Sequence, residues 1–570
     1  MDELSRAPER PISRRRFIGT TAGIIGASTL GSLGLLTLGG GLAEEARADD
    51  ASPALVGTRE LPVLDTPCSA PRGPVAFERA AIAGPKIATT AETDVVVVGG
   101  GFSGTCAALA ATDAGAKVVL LEKMRVGAAR AECFASLDAK FQTAAKLTFD
   151  RPAIVNEILK AGDYRTRPEV VSVWADRSGE AADWLATQLA DAGWTFAPVA
   201  ATAWGGGFSG WDAETGFANP SLPADAGNRS GLAVIRVLAD LAAKAKTKGV
   251  DLRFETPVVQ LVRENGRVSG VIARDASGAY HRINARRGVI LATGGYEANP
   301  DLLKAWCRAE DIDPVSWWSP CLGSTGDGHQ MGLAVGAAMD PVPHAVMNFP
   351  WGHAESFWSA RVWSALVFGI LVNGEGRRFV NEDLPFHCIS NAMNLQKDLG
   401  RHTWTVADAA MIGMIPFTSP EDTQAEIAKG KAKGFIVQAD TIAGLADAMA
   451  VPAAALTATV ETYNASVKAG VDKDFARVVG GDKGMPPIGD GPYTALRNGS
   501  CNLVTVSGLA VNEELNVVDA NDQPIAGLYA VGNASGGFFS GNYPRHISGL
   551  SIGRCLAFGY VAGQNAAKEA

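Results

Sequence analysis

One local pattern constrains this chain more than any other. Asp94-Val95-Val96-Val97-Val98 is a β-branched run without polar alternation, as in a strand buried on both faces. It runs directly into Gly99-Gly100-Gly101-Phe102-Ser103-Gly104. A helical segment follows over 105–114 and stops at Gly115. Lys117-Val118-Val119-Leu120-Leu121 then reads as a second strand, closing on Glu122. Gly99, Gly101 and Gly104 fill a G-x-G-x-x-G pattern. Gly99 permits the tight turn, Gly101 lets backbone N–H groups approach a pyrophosphate, and Gly104 lets the helix pack on the strand. The helix N-terminus, which includes Phe102 and Ser103, favours negative charge. Glu122, about twenty residues past Gly99, can hold ribose hydroxyls. A glycine triplet alone is weak evidence; strand, helix, strand and acid in this order specify a dinucleotide-binding unit.

Bulk properties exclude other classes. Hydrophobic residues make up 47% and charged residues 19% of 570, so the chain packs a core rather than staying disordered. The net charge is −9 with no basic block, which argues against nucleic-acid binding. The cysteines are scattered without any C-x-x-C pair, so neither c-type haem attachment nor zinc-knuckle spacing is present. Cys106 and Cys555 fall in apolar helical stretches and read as core thiols.

The N-terminus reads as an address rather than as fold. Ser13-Arg14-Arg15-Arg16-Phe17-Ile18 matches the twin-arginine export pattern. A glycine-diluted, uncharged stretch over 17–43 follows, then Ala46-Arg47-Ala48, a small-x-small cleavage site. A membrane anchor is the alternative for that stretch. Residues 1–48 are therefore expected to be a signal peptide and the protein to be extracytoplasmic, with its cofactor loaded before export. Residues 49–91, rich in Pro, Ala and Thr, read as a linker or surface arm.

Three later segments decide the cofactor. Phe254-Glu255-Thr256-Pro257-Val258-Val259 reads as a strand. Val289-Ile290-Leu291-Ala292-Thr293-Gly294-Gly295-Tyr296 is a buried strand ending in a glycine turn, and Gly527-Leu528-Tyr529-Ala530-Val531-Gly532-Asn533 is another strand. In this order they resemble the FAD-binding family of soluble fumarate reductases and 3-ketosteroid dehydrogenases, over roughly residues 92–570. Further matches are the segment from Gly323 to Gly328, the segment from Val372 to Glu382, and Phe558-Gly559-Tyr560-Val561-Ala562-Gly563. The resemblance implies an α/β fold: a Rossmann-like FAD-binding domain (92–298 and 492–570) with an inserted α+β capping domain (299–491). It implies FAD contacts at Val258, Ala292, Thr293, Gly294, Gly532, Asn533, Gly549, Leu550, Ser551 and Ile552. Lys123, beside Glu122, is placed with the cofactor contacts, although a single lysine there otherwise reads as solvated surface. Val126-Gly127-Ala128-Ala129-Arg130-Ala131 lacks the histidine that carries covalent FAD in membrane succinate dehydrogenases, so non-covalent FAD is expected.

The family's catalytic pattern is broken here. Its proton-donating arginine falls on Phe386, its relay Glu and Arg on Val362 and Ala365, and a substrate-binding histidine on about Val504. A dicarboxylate needs fixed cations, so fumarate itself is not expected. Tyr543-Pro544 resembles the carbonyl-polarising Tyr-Pro-Gly segment of the ketosteroid dehydrogenases. Arg545 and His546 take the place of a substrate-gripping Asn-Arg pair. Tyr543, Arg545 and His546 are the catalytic candidates, with His387 in reserve; each also has a plain structural reading as a turn, a surface ion pair or a backbone hydrogen bond. Tyr296 reads as packing beside the flavin. Trp204, Trp211, Trp317, Trp318, Trp351, Trp358 and Trp363 either pack a core or line a pocket for a flat, bulky substrate.

The chain also resembles the secreted flavin reductases of anaerobic gut actinobacteria. The leading expectation is a reductase of an activated C=C bond in a small unsaturated acid or enone. Its electrons would come from a c-type cytochrome or a membrane quinol-linked partner in anaerobic respiration. The alternatives are a dehydrogenase that introduces a C=C bond, and a flavin-binding electron carrier without its own substrate.

Overall fold

The valine run forms the inner half of a longer strand, Ile87–Val98, inside an eight-stranded sheet. The computed structural model describes residues 70–131, 133–198, 213–219, 232–313, 317–318, 321–350, 369–398, 402–413, 420–481, 484–544 and 547–569. Strands Pro524–Ala530, Tyr280–Leu291, Ile87–Val98, Val118–Leu121 and Asp251–Arg253 lie side by side and run parallel. Asn516–Val518 adds an antiparallel edge, and the hairpin Val258–Glu264 with Arg267–Arg274 branches from Tyr280–Leu291. Val95, Val96 and Val97 are fully buried, as their uninterrupted apolar run requires. The strand begins before that run: the residues from Ile87 to Thr93 pair with the stretch from Tyr280 to Ala285 while facing solvent for most of their length. Threonines suit such an exposed strand, but they carry no apolar signal.

Helix Phe102–Asp113 is made of small and apolar residues on every face. It is buried because it packs against both the sheet and the C-terminal helix Leu550–Lys568. Gly99 takes a left-handed φ of 108°, and a Cβ on Gly104 would collide with the Gly99 carbonyl oxygen. These two glycines therefore fix how closely helix and strand approach.

A second core surrounds a four-stranded antiparallel sheet, in the order Ile370–Asn373, Thr403–Ala407, Tyr493–Asn498 and Ile436–Ala439. Helices Ile442–Met449 and Ala453–Ala469 contribute to that core. The expected domain boundary at 491/492 falls just before Tyr493–Asn498. In this unit Arg378 is almost buried. It pairs with Glu382 at 2.7 Å and Asp472 at 2.9 Å, and Arg477 lies 3.5 Å from Glu382. Glu382 also accepts the Leu371 N–H at 3.0 Å. This network pins the chain just ahead of helix Phe386–Asp398 and so places Phe386.

Two small sheets bridge to the site. One joins Trp317–Trp318, Cys501–Thr505 and Val346–Phe349; the other joins Cys133–Ala135, Glu214–Ala218 and Thr195–Pro198. Among the described residues no helix is long and apolar enough to cross a membrane, and no acid, His and Cys cluster could hold a metal.

Candidate active site

The C-terminal ends of the parallel strands open into a cavity of about 340 Å³, within the range of ligand pockets. Gly99, Gly101, Phe102, Ser103, Glu122, Lys123, Val258, Ala292, Thr293, Gly294, Asn533, Gly549, Ser551 and Ile552 line it. These segments are far apart in sequence, and the sheet order brings them together. Three expected contacts stand back from the wall. Gly104 is spent on helix packing, Leu550 is fully buried in the core, and a Cβ on Gly532 would press on the Ser103 side chain.

Helix Phe102–Asp113 starts at Gly101 with no side-chain cap, which leaves first-turn N–H groups at the cavity for an anion. Glu122 holds the glycine turn: its Oε2 accepts the Gly100 N–H at 2.7 Å and its Oε1 the Met124 N–H at 2.8 Å. Burial raises its pKa, and those N–H groups pull it partly back. Thr293 Oγ1 is a buried cavity-wall hydroxyl with no hydrogen-bond partner. An uncapped helix end, an acid at the strand end and an orphaned hydroxyl fit a phosphate- and hydroxyl-rich dinucleotide.

Lys123 is not solvated surface. Its side chain is 14% exposed, and its Nζ donates to Asp327 at 2.6 Å, Thr325 at 2.6 Å and the Pro74 carbonyl at 2.9 Å. Asp327 also accepts the N–H groups of Ala76 and Phe77. The arm ahead of the first strand is thereby fastened to the cavity, where Ala76 forms part of the wall.

The remaining wall is mostly apolar. The Phe349 and Phe386 rings meet at a tilt of 52° with centroids 5.2 Å apart, beside Met347, Leu503 and Val504. Phe386 and Val504, where the resemblance expects two polar residues, both line the cavity. Tyr543 lines it too. Its ring lies 5.1 Å from Phe539, and its oxygen accepts the Ser551 N–H at 3.3 Å. Burial holds the Tyr543 hydroxyl protonated by raising its pKa, so it can donate to a carbonyl oxygen.

Other expectations are corrected or fall outside the described residues. His387 does not line the cavity. It sits against Cys388 Sγ at 3.3 Å, and burial lowers its pKa to about 4. Tyr296 is absent from the wall; its hydroxyl meets His344 Nδ1 at 2.8 Å in a buried cluster with Trp306 and His329. No tryptophan lines the cavity among the described residues, and Trp318 packs in a small core with Tyr296. Arg545, His546, Val362, Ala365, Trp204, Trp211, Trp351, Trp358 and Trp363 lie outside the described residues.

Sequence reasoning missed several wall residues: Arg130, Glu214, Glu297, Cys321, Cys555 and Asp327. Asp327 lay within a quoted family segment, and Arg130 was the one cation of 126–131. Arg130 Nη2 donates to the Leu503 carbonyl at 2.9 Å and lies 4.0 Å from Glu297 Oε1. Burial raises the pKa of Cys321 and Cys555, keeping both thiols neutral.

Known proteins resemble this chain in sequence and fold. The FAD binding domain family model matches residues 94–550. A fumarate reductase (cytochrome) of Shewanella frigidimarina is 30% identical over 490 residues, covering 83% of this chain and 77% of that protein. A 3-oxosteroid 1-dehydrogenase of Mycobacterium tuberculosis (strain ATCC 25618 / H37Rv) is 32% identical over 352 residues, covering 56% of this chain and 61% of that protein. The open conformation of a flavocytochrome c3 fumarate reductase has the same fold, with TM-score 0.59 and 24% identity over 84% of this chain and 79% of that one. For the 3-ketosteroid-delta4-(5alpha)-dehydrogenase of Rhodococcus jostii RHA1 the TM-score is 0.63 at 25% identity, over 88% of this chain and 100% of that one. FAD is the cofactor, and the protein is an oxidoreductase acting on carbon–carbon bonds. With the family match extending over most of its length, the chain belongs to the FAD-binding family of the fumarate reductases and 3-oxosteroid dehydrogenases.

Proposed function

We propose that the protein reduces an activated C=C bond in a bulky or aromatic enone or enoate rather than in fumarate. The observation that carries this reading is the Phe349–Phe386 wall, with Met347, Leu503 and Val504 around it. An aromatic and aliphatic surface rewards a flat apolar ring and leaves a small dicarboxylate poorly held. The described wall also carries Glu122, Glu214 and Asp327 against Lys123 and Arg130, which disfavours a dianion further.

The glycine turn, Glu122 and Thr293 would hold FAD non-covalently, and FAD would supply the hydride when bound. Tyr543 donates its hydroxyl hydrogen to the substrate's activating carbonyl and so steadies charge that develops on that oxygen. Phe349 and Phe386 exclude water and orient the ring. In this reading the protein is exported by the twin-arginine route and works outside the cytoplasm in anaerobic respiration. Its electrons come from a c-type cytochrome or a quinol-linked partner. A second reading, dehydrogenation of a saturated ketone, is favoured by the same position of Tyr543 on the wall.

The test uses purified holoenzyme, reduced chemically without oxygen and mixed with fumarate, urocanate, cinnamates and cyclic enones. Reoxidation by an aryl enoate or cyclic enone, with the saturated product recovered, is the expected result. Fast reoxidation by fumarate contradicts the substrate class. Bleaching of oxidised enzyme by saturated ketones, with no acceptor reoxidising the reduced form, turns the reaction round.

A further inference from the structure

Reducing an activated C=C bond takes a hydride at one carbon and a proton at the other. Phe386 and Val504 carry no proton, so the site needs another source. Of the acids on the wall, Glu122 spends both oxygens on backbone N–H groups. Asp327 spends both on Ala76, Phe77, Lys123 and Thr325. Glu214 lies in the field of Tyr543. Glu297 is built differently. It is 1% exposed; Oε2 accepts the Thr505 N–H at 3.3 Å and the Thr505 hydroxyl at 3.2 Å, and the Ser324 hydroxyl and its own N–H also act on the carboxyl. Oε1 has no hydrogen-bond partner, and the Arg130 guanidinium lies 4.0 Å from it. A Cβ on Gly295 would collide with Thr505 Oγ1 and Glu297 Oε2, so the glycine turn is also what admits this carboxyl to the wall.

We propose that Glu297, backed by Arg130, is the proton source of the reduction and delivers its carboxyl proton to the substrate carbon next to the activating group, directly or through one water. The inference rests on the C=C reduction reading. As the Glu297 O–H bond breaks, its electron pair stays on the carboxylate. The new C–H bond forms from the electron pair of the enolate that hydride addition leaves on the substrate. Reduced FAD is the reductant, and solvent water restores the proton afterwards. Burial raises the Glu297 pKa and so favours the protonated carboxyl; Arg130 acts in the opposite direction and steadies the carboxylate once the proton has left.

The experiment compares wild-type holoenzyme with Glu297→Gln, which keeps an oxygen for Thr505 but has no acidic proton. Reduced flavin reoxidation by a cyclic enone is followed across pH. The expected loss is about 100-fold, with the wild-type pH dependence flattened, the FAD spectrum unchanged and partial recovery in Glu297→Asp. An unchanged rate and pH profile in Glu297→Gln overturns the proposal, as does the same loss appearing in Glu214→Gln instead. An infrared band of a protonated carboxyl at neutral pH, lost in Glu297→Gln, is expected whether or not any acceptor reacts. Its absence from the wild type overturns the proton store independently. Failure of wild-type enzyme to reduce any acceptor overturns the reaction reading, and with it the catalytic use of that proton.

Discussion

The two ends of the cavity are made in different ways. At the dinucleotide end, consecutive residues present backbone groups: an uncapped helix start, a glycine turn and an acid that ties the turn in place. At the other end, side chains arrive singly from remote segments. Phe349 comes from an edge strand, Phe386 from a helix start and Tyr543 from a loop. A backbone cradle tolerates little change, because any side chain fills it. A side-chain wall can be rebuilt residue by residue, and the apolar Phe386 and Val504 stand in that wall.

If this contrast is right, the largest effect belongs to the cradle. Gly104→Val should remove bound FAD altogether, since even a Cβ strikes the Gly99 carbonyl oxygen. Overpacking costs about 1–3 kcal/mol or more, and here the shift falls on the turn itself. The visible absorbance of the purified variant measures the loss; near-full flavin occupancy would break the comparison.

Glu122→Gln is a smaller blow at the same end. The amide nitrogen must face one of the two N–H donors now bound by the carboxylate, from Gly100 or Met124. An unsatisfied buried donor costs about 1–3 kcal/mol, so the FAD dissociation constant should rise roughly 10- to 100-fold. Titration of apoprotein with FAD reads it.

At the side-chain end, Phe386→Arg should not create fumarate reduction. One cation placed against Phe349 supplies neither a second carboxylate grip nor a relay, because Val504 stays apolar. Turnover of a cyclic enone should fall about 10-fold as the ring contact is lost. Substantial fumarate turnover by this variant would show that the wall is closer to the family's dicarboxylate site than its residues indicate.

The same contrast explains what could be read in advance. The dinucleotide end was legible because its chemistry is local: spacing pointed to Gly99, Gly101 and Glu122 and the resemblance to Thr293, and all four line the cavity. Lys123 was half legible: it lines the cavity, but its burial depended on Asp327, about two hundred residues away. Arg130 meets the Leu503 carbonyl across 373 residues, and Glu297 meets Thr505 across 208. No periodicity encodes such meetings between segments so far apart in the chain. His387 failed for a related reason. Neighbours on a helix point about 100° apart, so Phe386 reaches the wall while His387 does not.

His387 also provides the smallest effect. Burial lowers its pKa from 6.5 to about 4, with Asp163 raising it and Arg308 lowering it. A depressed pKa means that the fold prefers the neutral ring. The corresponding stability is fully present above about pH 6.5 and is lost as pH falls toward 4, because only the unfolded chain takes up the proton in that window. His387→Leu has no such proton to take up. Its melting temperature relative to wild type should therefore rise by about 1–3 °C between pH 7 and pH 4.5, for a difference on the order of 2 kcal/mol. FAD occupancy at pH 7 should not change, since the residue stands off the cavity wall. A variant that loses enone reduction at pH 7 while keeping its flavin and its melting temperature would place His387 back among the catalytic groups. The side-chain end would then extend further than the wall formed by Phe386.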